Sequence, residues 1–126
     1  MTPALPASRP HHTVSKATGL LIAAEAAAFA GASAVHFATS FPDAAIPELV
    51  IAGILALGST AALSRQPRAW GIAIAAATVA TLGTALGLTI IAAGRQDAPN
   101  LAFHASALAA LAATLIILFR ARNQRW

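Results

Sequence analysis

The chain has no cysteine and no tyrosine, and only 10% of its 126 residues are charged. Without cysteine there is no disulfide, no thiolate metal site, no CxxC redox pair and no covalent c-type haem attachment. Without tyrosine there is no phenolic acid or base. The scarcity of charge excludes still more. A soluble domain carries about 25% charged residues, and a short chain has too much surface per volume to hide such a deficit in a larger core. With 58% hydrophobic residues and a mean hydropathy of +0.72, the chain must show apolar surface to something other than water. A lipid bilayer is the expected partner.

The formal net charge is +4. The basic residues lie between and after apolar runs, which is the pattern of membrane orientation. No Lys/Arg stripe with interleaved aromatics is present to follow a phosphate backbone, so no nucleic-acid partner is expected.

Four apolar runs follow one another, at about residues 17–39, 44–63, 69–93 and 99–119. Each is long enough, at about 1.5 Å per residue, to cross a ~30 Å hydrocarbon core as a helix. Their Ala, Leu and Ile content suits helices, and none alternates as a barrel strand does. The linkers, Ser40 to Asp43, Ser64 to Arg68 and Gly94 to Ala98, are short. Short linkers force sequential helices to run antiparallel. The expected fold is therefore all-α, an integral membrane up-down-up-down four-helix bundle occupying residues 17–120. Residues 1–16, with Pro3, Pro6, Pro10, His11 and His12, read as a flexible cytoplasmic tail, and residues 121–126 as a second one. Pro47 and Pro99 stand near helix starts, and Asp43 and Asp97 are expected caps.

Arg9, Lys16, Arg65, Arg68, Arg120, Arg122 and Arg125 fall on one side of this topology, and Arg95 alone on the other. The positive-inside rule then puts both termini in the cytoplasm and the protein in the inner (plasma) membrane. Trp70 and Trp126 fall at the same edge, where indole prefers to sit. The first run also resembles a secretory signal peptide, with Ala32-Ser33-Ala34 as its cleavage site. Glu25 inside the would-be apolar region argues for an uncleaved span instead.

Glu25, His36, Glu48 and His104 are ionisable residues within the apolar runs. A charge at bilayer depth costs several kcal/mol, so such residues face a bundle interior and pair. His36 stands late in helix 1, Glu48 early in helix 2 and His104 early in helix 4. All three are expected about 6–8 Å below the same, outer boundary. Glu25, eleven residues before His36 on nearly the same helix face, is the deeper companion, by about 16 Å. Ser59 bears the same relation to Glu48, and helix 3 offers Thr78, Thr81, Thr84 and Thr89.

Several readings of this layer are open. The three side chains can form a polar site that binds or passes a small ligand or a proton. His36 and His104 can hold haem b iron in a redox subunit. The two imidazoles with Glu48 can bind a divalent metal. The layer can also be a purely structural tie in an assembly subunit of a larger complex, since Glu48 at a helix start suits the dipole and can pair with either histidine. No GxSxG, Walker A, HExxH or GxGxxG motif is present, and whether the protein is an enzyme is left open. Gly83 and Gly87 form a small-xxx-small pair for helix packing, within the chain or in a homo-oligomer.

His36, Ile46-Pro47-Glu48, Gly83 with Gly87, and the stretch from Asp97 to His104 together resemble a loose group of small, uncharacterised four-span bacterial membrane proteins. The resemblance implies a shared architecture and a shared site at these positions. It implies no activity.

Overall fold

The computed structural model describes residues 16–64, 66–94 and 97–123. Four helices follow in order: α1 (Lys16–Ala38), α2 (Pro42–Leu63), α3 (Ala69–Ala93) and α4 (Ala98–Asn123). Each packs on its chain neighbours, and α4 closes the ring against α1. The bundle is all-α, as the four apolar runs predict, and each helix is long and apolar enough to span a membrane. The N-terminal tail with His11 and His12, and Arg9, Arg65, Arg95, Arg125 and Trp126, lie outside the described residues.

The helix ends differ from the sequence expectation, and Pro47, expected near a helix start, lies inside α2. α2 begins at Pro42, which occupies the first turn, where a missing N–H costs nothing. Phe41 is its N-cap, with no side-chain capping bond. Asp43 is thus no cap; it lies in the first turn, where the helix dipole favours a carboxylate. α4 runs on to Asn123, so residues 121–123 are helix and not tail. Arg120 and Arg122 in that last turn complement the negative end of the dipole.

Packing follows the rule for lipid, where small residues let helices approach and large ones face outward. The core is rich in alanine, with Ala26, Ala52, Ala62, Ala73, Ala76, Ala77 and Ala80 buried. Leu20, Val35, Leu57, Leu82, Leu86 and Ile90 point outward and are well exposed. A water-soluble bundle would show the reverse. With this surface, the chain is built as a small integral membrane protein.

The inward stripes repeat at three- and four-residue steps, as on α4, where His104, Leu111, Thr114 and Leu118 are buried. Polar residues mark these stripes. Ser33 Oγ donates to the Ala45 carbonyl at 2.8 Å, and Ser59 Oγ donates to the Gly19 carbonyl at 2.9 Å. These bonds fasten α1 to α2 near both ends.

Candidate functional site

The turn after α1 sets the position of His36. The Phe41 N–H donates to the His36 carbonyl at 2.8 Å, and the Ser40 N–H to the Phe37 carbonyl at 3.2 Å. This is a Schellman ending, which needs one left-handed residue. Ser40 takes that place with φ 60°. The apolar contact that accompanies such a turn here joins the rings of Phe41 and His36, whose centroids are 6.2 Å apart. The chain reverses directly into α2 and brings Glu48 opposite His36.

Glu48 is the centre of the site. His36 Nδ1–H donates to Glu48 Oε2 at 2.7 Å. His104 Nε2 faces Glu48 Oε1 at 3.7 Å. The Glu48 side chain is only 3% exposed, His104 8% and His36 16%, so His36 forms the rim and the other two the interior. Three helices thus converge on one carboxylate. His104 lies across the ring from α2, and its ring spans the bundle axis to reach Glu48.

The layer is less level than expected. By helical rise His36 is about 3 Å from the end of α1, while Glu48 and His104 are each about 9 Å inside their helices. Side-chain length makes up the difference.

Two neighbours absent from the sequence reading orient His104. Its Nδ1 lies 3.0 Å from the Asn100 carbonyl. A carbonyl oxygen only accepts, so Nδ1 carries a hydrogen and donates it. Nε2 is thereby the atom aimed at Glu48. Phe103 meets the His104 ring edge-on at 5.3 Å and Phe29 at 5.4 Å. Such i−4 carbonyls and aromatic neighbours carry no pattern that distinguishes them in an apolar run.

The glycine pair on α3 serves this site in part. A Cβ at Gly87 would lie 3.4 Å from His104 Cδ2, and one at Gly83 would lie 3.3 Å from Ile51 Cδ1. Gly83 therefore faces α2 and Gly87 faces α4. The two do not line one seam, and the space beside each is filled from within the chain.

Glu25 belongs to a different level. Its Oε1 accepts a 2.7 Å hydrogen bond from Thr114 Oγ1 on α4. Ser59 is committed to Gly19, and Thr81, Thr84 and Thr89 bond back to carbonyls of their own helix. They are not drawn into the His/Glu layer.

Among the described residues, no group of three or more His, Asp or Glu side chains is arranged to hold a metal ion. For haem, His36 and His104 would have to face each other across a macrocycle. Instead each turns a ring nitrogen to the same carboxylate.

No protein-family model matches the chain, and neither a curated protein nor a solved structure matches it.

Proposed function

We propose that this membrane protein takes up and releases a proton at the His36–Glu48–His104 cluster. The observation that carries the reading is the aim of His104. With its Nδ1–H held by the Asn100 carbonyl, a neutral ring turns the Nε2 lone pair toward Glu48 Oε1, 3.7 Å away. That oxygen is buried and has no hydrogen-bond partner among the described residues. Two acceptors then face each other in a low-dielectric site, which is unfavourable. One added proton on Nε2 turns this contact into an imidazolium–carboxylate pair. The gap is too narrow for a bridging water with two ordinary hydrogen bonds of about 2.8 Å at a normal angle. Imidazole is the side chain whose charge changes in the physiological range, which suits the task.

The test is nitrogen NMR of the histidine rings in the bilayer-reconstituted protein. His104 is expected to keep a hydrogen on Nδ1 throughout and to gain and lose one on Nε2 as the sample is acidified and returned. In Glu48→Gln, which removes the carboxylate facing Nε2, that change of state should be lost or altered. If Nε2 never changes state, the cluster is a structural tie and the reading fails.

A divalent metal is the second reading. An imidazole that donates Nδ1–H to a backbone carbonyl is held as metal-ligating histidines are held. Addition of zinc alone would then abolish the Nε2 titration in the same experiment.

The basic residues Lys16, Arg68, Arg120 and Arg122 lie at the end of the bundle opposite the cluster. We place that end in the cytoplasm of a cell with a plasma (inner) membrane, so the cluster opens to the outer side. A single cysteine at Gln96 should then react with an impermeant maleimide added outside intact cells. Labelling only after lysis would reverse the orientation.

A further inference from the structure

We propose that Glu25 is a second proton-binding site, in the middle of the bundle, insulated from the outer cluster by the Phe29–Phe103 pair. The proposal stands whether or not the outer cluster exchanges protons.

Glu25 lies about 14 Å along α1 from Lys16 and about 20 Å from Ala38, near the centre of a ~30 Å hydrocarbon layer. The residue is only 8% exposed. Oε1 has the Thr114 hydroxyl, while Oε2 is buried with no hydrogen-bond partner among the described residues. Its surroundings are apolar: Ile22 and Leu111 are fully buried, and Phe29 nearly so.

Among the described residues no counter-charge reaches it, and the histidine–carboxylate contacts there are His36–Glu48 and His104–Glu48. On α1 itself Lys16 is at the exposed end and His36 is engaged with Glu48. On α2 the charged groups are Asp43, in the first turn, and Glu48. On α4 they are His104, committed to Asn100 and Glu48, and Arg120 and Arg122 in the last turn. α3 has no titratable residue. An isolated carboxylate in such a place costs several kcal/mol. A proton on Oε2 removes the charge, leaves the Thr114 bond to Oε1 intact and moves no electrons. Two oxygens and one hydroxyl are too few ligands for a metal cation, which takes about six oxygens.

The insulation has a structural basis. Phe29 stands one turn beyond Glu25 toward the outer cluster, and its ring meets Phe103 edge-on at 5.4 Å. Phe103 in turn meets His104. Phe29 lies between the two polar levels along α1 and is 1% exposed, and Phe103 braces its ring from α4, so a buried apolar layer separates the levels on that side of the bundle. Protons cross such a layer only by water or by motion of the rings.

The test is infrared spectroscopy of the bilayer-reconstituted full chain, following the carbonyl stretch of protonated carboxyl groups. A band is expected that Glu25→Gln removes and Glu48→Gln leaves in place. In D2O its deuterium shift should be slow, and roughly tenfold faster in Phe103→Ala, because exchange follows local opening. Phe103→Leu, which fills more of the space, provides the comparison if the alanine variant does not fold. The proposal is overturned if Glu25→Gln removes no band at any pH from about 5 to 8, if Glu48→Gln removes the same band, or if the wild-type band exchanges as fast as the Phe103 variants. Failure here leaves the histidine NMR result untouched, so the two sites are judged separately.

Discussion

Replacing Glu48 by alanine is expected to cost about 3 kcal/mol of bundle stability, the largest loss from any single polar residue among the described ones. Glu48 joins α1, α2 and α4 at once, through His36 at 2.7 Å and His104 at 3.7 Å. Its removal does more than delete two contacts. It leaves His36 Nδ1 without its acceptor and His104 Nε2 facing a void, in a region where the carboxylate itself is 3% exposed. A single interhelical hydrogen bond in a membrane averages only about 0.6 kcal/mol, with a maximum near 1.7. Thr114→Ala, which removes a donor to Glu25, should therefore lose about 1 kcal/mol or less. The contrast is the test. Reversible unfolding in mixed micelles should rank Glu48→Ala well below Thr114→Ala, with Glu48→Gln between, since the amide keeps the shape. In a double-mutant cycle, His104→Ala should cost less in the Glu48→Ala background than in the wild type. Additive losses would mean that the 3.7 Å contact contributes nothing.

Gly58→Ala is expected to destabilise the bundle by about 1–3 kcal/mol, although alanine is the better helix former. A Cβ at Gly58 would lie 2.6 Å from the Ala76 Cβ and 3.9 Å from the Ala73 Cα on α3. A methyl group has no torsion by which to withdraw, so α2 and α3 must part. Gly19 gives the control. Its Cβ would come equally close to Leu63, at 2.6 Å from Cδ2, but that leucine is 47% exposed and can swing away. Gly19→Ala should be close to neutral. Gly31, Gly53 and Gly71 have nothing within 4 Å of such a Cβ, and alanine there should stabilise by up to about 1 kcal/mol. The same micelle unfolding assay ranks all five. Equal effects at Gly58 and Gly53 would show that close approach of α2 and α3 is not what holds the bundle together.

The site and the packing depend on each other. Gly87 touches the His104 ring, so α3 supports the cluster without contributing a polar group to it. Ser40 holds the left-handed turn that carries His36. The chemistry of the layer thus rests on a glycine and a serine that have no chemistry of their own.

Much of this protein is determined by the sequence alone. Four apolar runs separated by short linkers permit an antiparallel helical ring in lipid and little else. The same alternation brings His36, Glu48 and His104 to one end, and gathers Lys16, Arg68, Arg120 and Arg122 at the other. The rotation of each helix about its own axis is not legible in this way. In water, apolar periodicity tells the inner face from the outer. Here lipid is as apolar as the core, so Leu57 facing out and Leu55 facing in look alike in the sequence. Only the tertiary structure decides that Glu25 turns to Thr114, 89 residues away, and that Phe29 meets Phe103 beside the cluster. It also decides that Gly83 and Gly87 face different neighbours, and that Glu48, not a histidine, is the group the others share. Each of these depends on a helix rotation, and in a bilayer that rotation is set by the fit of small side chains and a few polar contacts, not by hydrophobicity.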